Sequence, residues 1–71
     1  MQDKVSREKL EIVVQHWIEH NRGHARDFGE WATRAKELGL EQVGDEIGRA
    51  IALMEQVNSS LESALAVMEE K

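Results

Sequence analysis

From Leu10 onward, large or apolar residues recur in alternating steps of four and three: Leu10, Val14, Trp17, Asn21, His24, Phe28, Trp31, Ala35 and Leu38. That rhythm is the seam of a long amphipathic helix, since a strand would alternate every second residue. Two neighbouring seam positions, Asn21 and His24, are polar, and they interrupt the stripe at its middle. Gly23 and Gly29 fall inside the pattern without shifting its phase, so they read as helical positions and not as breaks. Charges at four-residue spacing (Arg7/Glu11, Arg26/Glu30, Glu30/Arg34) suit ion pairs on the outer face.

Gly39 ends the first helix. Glycine adopts the left-handed conformation that closes a helix, Lys36 complements the dipole in the last turn, and Leu40 can fold back onto that turn. The rhythm restarts at once. Leu40, Ile47, Met54, Leu61 and Met68 alternate with the smaller Val43, Ala50, Val57 and Ala64, and Ile51, Leu53, Leu65 and Val67 widen the apolar face. Gly44, Gly48 and Ala52 form a small-residue track that lets another helix approach. The prediction is all-α: a single domain over residues 1–71, with helix one at about Asp3–Leu38 and helix two at about Leu40–Glu69. Asp3 and Ser6 are the candidate N-caps. So short a connection makes the helices antiparallel neighbours, each roughly 45–50 Å long at ~1.5 Å per residue.

Pairing the helices about Gly39 sets Trp17 level with Leu61, Phe28 with Ala50, and Trp31 with Ile47. His24 comes level with Met54, and His20 with Asn58. Asn58 is thereby placed beside the polar stretch of helix one, predicting a layer of His20, Asn21, His24 and Asn58, with Asp27 one turn on. Trp17, Phe28 and Trp31 are predicted core residues. Two helices cannot bury an apolar face this wide, so the hairpin is expected to form a homodimeric four-helix bundle with an isologous interface.

Composition narrows the functional classes. The chain has 71 residues, near the size at which a lone hydrophobic core is marginal and help from a metal or a partner is common. It lacks cysteine, which removes disulfides and thiolate metal sites, and lacks proline, which favours long uninterrupted helices. Its net charge of −5 would repel a phosphate backbone, and no Lys/Arg cluster overrides that, so nucleic acid is excluded as a partner. No apolar run is long enough to span a bilayer and the charged start does not resemble a signal peptide, so the reading is a cytoplasmic protein with no membrane role.

The remaining chemistry lies in the histidines. His16, His20 and His24 are one helical turn apart, and imidazoles at i and i+4 can share one ion. Asp27 can add a carboxylate, and a two-fold axis would double the donors. Nitrogen and oxygen donors without sulfur suit zinc, nickel, cobalt or copper(II). The first reading is therefore a non-enzymatic protein binding a divalent transition metal through His16, His20, His24 and Asp27. The alternative is a dimeric interaction or scaffold module, with a further protein partner possible, in which the His/Asn layer only fixes register. Enzymatic readings are weaker. There is no Glu-x-x-His tetrad for a di-iron centre, no HExxH because Trp17 follows His16, and no serine near an oxyanion-type turn.

The segment HWIEHN, continued by His24, Phe28, Trp31, Gly39 and Asn58, resembles a group of small, largely uncharacterised prokaryotic helical-hairpin proteins. The likeness covers His16 to about Leu65. Some members of that group begin with a histidine-rich tail, which implies nickel or cobalt handling. This sequence has no such tail, and the resemblance carries no activity over to it.

Overall fold

The computed structural model describes residues 6–70. Two helices fill them, α1 (Arg7–Glu37) and α2 (Glu41–Glu70), packed as an antiparallel hairpin. Ser6 starts α1: its backbone is extended and its hydroxyl accepts the amide proton of Lys9 at 3.1 Å. The first helix therefore begins at Arg7. Asp3, the other cap candidate, lies outside the described residues.

The turn is a Schellman closure. Gly39 has φ +83°, its N–H donates to the Lys36 carbonyl at 3.0 Å, and the Leu40 N–H reaches the Ala35 carbonyl at 2.9 Å. Two carbonyls that α1 would leave unsatisfied are thus used, and α2 begins after a connection of only three residues, Leu38 to Leu40. Gly23 and Gly29 are helical, as the unbroken phase predicts.

The packing seam departs from the predicted stripe. On α1 the seam is formed by the buried and half-buried Val14, Ile18, Asn21, Ala25, Phe28, Ala32 and Ala35; on α2 by Gly44, Ile47, Ile51, Met54, Asn58, Leu61, Leu65 and Met68, with Ala50 half-buried at its edge. Half of each predicted seam is retained and the other half moves by one residue. Ile18, Ala25 and Ala32 replace Trp17, His24 and Trp31, and Gly44, Ile51, Asn58 and Leu65 replace Val43, Ala50, Val57 and Ala64. Trp17 and Trp31, predicted to be core, are 47% and 59% exposed. Size explains the choice: a flank of alanines lets the backbones close up, and indoles there would hold them apart. A Cβ built on Gly44 would lie 2.7 Å from Lys36 Cγ and 3.0 Å from the Ala32 carbonyl oxygen, so this is a true close approach. Gly48 meets nothing within 4 Å and Ala52 is exposed, so only Gly44 of the predicted small-residue track serves the hairpin.

The predicted outer-face ion pairs are replaced as well. Among the described residues one pair, Arg49–Glu46 at 3.5 Å, lies within α2, and the other charge contacts tie one helix to the other. Arg22 meets Glu62 at 2.9 Å, Lys36 meets Asp45 at 3.1 Å, and the Arg7 guanidinium donates to the Met68 carbonyl. Arg34 lies over the Trp31 ring at 4.8 Å. The hydrogen bond and charge of Asp45 raise the Lys36 pKa above its usual value. These pairs are solvent-exposed and contribute little individually.

Candidate interaction face and histidine stripe

A polar pair sits at the centre of the seam. Asn21 Nδ2 donates to Asn58 Oδ1 at 2.9 Å, and Asn58 Nδ2 donates to the Ile18 carbonyl at 3.2 Å. Asn58 is 9% exposed, the one buried polar side chain among the described residues. A buried amide with both ends paired holds the helices in one register, because a slip would strand it. The predicted polar layer is therefore correct for Asn21 and Asn58 and corrected for the rest. His20, His24 and Asp27 are exposed and lie outside the seam.

All three histidines instead line the open side of α1. The His16 and His20 rings stack at 5.9 Å between centroids with 13° between planes; His20 and His24 meet edge to face at 4.6 Å; His24 and Phe28 stack at 6.1 Å. One-turn spacing creates this column, and the drift of ~40° per four residues carries it around the helix, so His16 is turned roughly 80° from His24. His24 and His20 border the exposed stripe of Leu10, Trp17 and Trp31, while His16 points away from it. Asp27 is also exposed, one turn beyond His24. Among the described residues no group of three or more His, Asp or Glu is arranged to hold a metal ion within one chain.

The displaced halves of both seams share one face. Seen from its own N-terminus, each helix carries its displaced flank on the same rotational side of the seam, and antiparallel pairing then puts both flanks on the same side of the hairpin. On α1 this face shows Leu10, Trp17, His24, Trp31 and Leu38; on α2 it shows Leu40, Val43 and Val57, with the half-buried Ala50 between the last two. A shallow apolar hollow lined by Val43, Ile47 and Ala50 lies on the α2 side. The opposite side of the hairpin is polar, with a groove edged by Arg22, Arg26, Glu55, Ser59 and Glu62. Sequence periodicity finds both sets of positions. It does not separate them, because Val14, Asn21, Phe28 and Ala35 belong to either.

The hairpin alone has very little interior. Val14 at 4%, Ile18 at 5% and Ala35 are the buried hydrophobic residues among those described. The chain exposes 5456 Å², roughly 1,000 Å² more than the ~4,500 Å² of a compact monomer of this mass. Its radius of gyration is 16.5 Å, against about 11 Å for a compact chain of this length. The molecule is a plate 15 Å thick along its shortest axis. Among the described residues no helix is long and apolar enough to cross a membrane.

Residues 10–68 match the family described as a domain of unknown function (DUF8180), and the chain belongs to that family. No curated protein and no solved structure matches it.

Proposed function

We propose that this chain is a non-enzymatic interaction module that self-associates through its aromatic face, two hairpins forming an isologous four-helix bundle. One observation carries the reading: a continuous apolar face, with Trp17 47% and Trp31 59% exposed, lies open on one side of the plate. The excess of roughly 1,000 Å² is close to the ~800 Å² that each partner contributes to a standard interface. A second copy is the occupant that supplies a face of matching length and apolar character, and a two-fold axis makes the same patch serve both chains. Trp17 and Trp31 are its anchors, since large aromatic side chains dominate the energetics of buried contacts.

The test is sedimentation equilibrium of the untagged chain beside Trp17→Glu and Trp31→Glu. Twice the chain mass is expected for the natural sequence, with dissociation in both variants and helical circular dichroism retained. A natural chain that remains monomeric at about 100 μM, well above a micromolar dissociation constant, would overturn the reading.

A second reading, binding of a divalent transition metal through His16, His20, His24 and Asp27, has one observation in its favour. The HxxxH pairs are in ring contact on an open face, with 4.6 Å between the His20 and His24 centroids.

A further inference from the structure

We infer that His20 and His24 form half of a transition-metal site that a second copy completes, with one ion per two chains at the two-fold axis. This rests on the self-association reading above.

Position is the first argument. α1 runs from Arg7 to Glu37, so Arg22 is its midpoint and His20 and His24 straddle it. If two copies of α1 meet antiparallel about their centres, His20 lies level with His24 of the partner subunit. If they meet parallel, each histidine lies level with its own copy. Either two-fold arrangement gathers four imidazoles into two level pairs within one helical turn, about 6 Å along the axis.

Burial is the second argument. Among the described residues neither imidazole has a hydrogen-bonding partner in the chain. Covering the aromatic face with the apolar face of α2 of another copy would press them against aliphatic side chains, where their polar nitrogens would go unpaired. Packing α1 on α1 of another copy lets the four rings satisfy one another around a shared cation.

Donor count is the third. One chain offers two imidazoles on this face, below the three or four that a zinc site takes, in keeping with the lack of a preformed group within one chain. Two chains supply four neutral nitrogens, a set that zinc, nickel, cobalt and copper(II) accept. His16 is turned to the side and Asp27 lies a further turn from the midpoint, so neither belongs to the shared set.

The experiment is isothermal titration of the untagged, chelator-stripped protein with zinc chloride, and separately nickel chloride. Sedimentation in chelator runs in parallel on the natural chain, His20→Ala, His24→Ala and His16→Ala. The expected result is one ion per two chains. His20→Ala and His24→Ala should each weaken binding by more than about tenfold, while His16→Ala shifts it less than about twofold. One ion per chain, binding indifferent to His20→Ala and His24→Ala, or no binding by a chain that is dimeric in chelator would each overturn the inference and leave the interaction module standing. A chain monomeric with and without metal would overturn both.

Discussion

The two flanks of α1 share Val14, Asn21, Phe28 and Ala35 and differ in what they add. The inner flank adds Ile18, Ala25 and Ala32; the outer adds Leu10, Trp17, His24 and Trp31. Their combined rhythm looks like one wide seam, yet the molecule splits it into one packed surface and one open surface. The inner flank is narrow enough for helix to meet helix, and it carries the amide pair that fixes register. The outer flank holds most of the aromatic bulk and one imidazole, that of His24, with His20 at its border. The lesson is that bulk alone does not choose the intramolecular side. Close approach favours the small residues, and the large ones are left to whatever covers the face next.

The sharpest way to break the comparison is to truncate one residue on each flank. Ile18→Ala removes a fully packed seam residue and should destabilise by about 2–4 kcal/mol, at any protein concentration. Trp17→Ala, one position away, should lower the midpoint of urea unfolding only at concentrations where the natural chain is dimeric, because mass action links that face to self-association. Equal, concentration-independent losses for the two would show that the flanks are one core.

The amide pair sharpens the comparison next. Asn58→Ala leaves Asn21 without its partner and removes the side-chain bond to the Ile18 carbonyl, and should cost about 1–2 kcal/mol in chemical unfolding. Replacing Asn21 and Asn58 together with leucine should recover much of that loss, since no polar group is then stranded, while register becomes less strictly fixed. Cross-linking between cysteines introduced at positions 25 and 51 would report a slip.

The smallest expected effect separates two glycines one turn apart. Gly44→Ala gains helix propensity but meets the Ala32 carbonyl oxygen and Lys36 Cγ, for a net loss of about 1 kcal/mol. Gly48→Ala meets nothing and should stabilise by about 0.5–1 kcal/mol. Thermal unfolding of the two variants resolves the difference, and matching shifts would remove the argument that small size sets the seam.

Local chemistry was enough to read the hairpin from the residues. Uninterrupted four-three spacing, the lack of proline, Ser6 as a cap and Gly39 as a left-handed closure each act within a few residues, so the two helices and their antiparallel pairing follow directly. The partnership of helix one's polar stretch with Asn58 was legible too, because pairing about a tight turn fixes which residues lie level. The face that each stripe turns toward was not legible. Shared seam positions fit both flanks equally, and the choice depends on how closely two backbones can approach, a property of the pair of helices and of neither alone. Tertiary packing therefore decided that alanines and Gly44 meet inside the hairpin while Trp17, His24 and Trp31 face outward. It also decided that Asn58 pairs with Asn21, which the seam encloses, and not with His20, which the same rotation carries into the open.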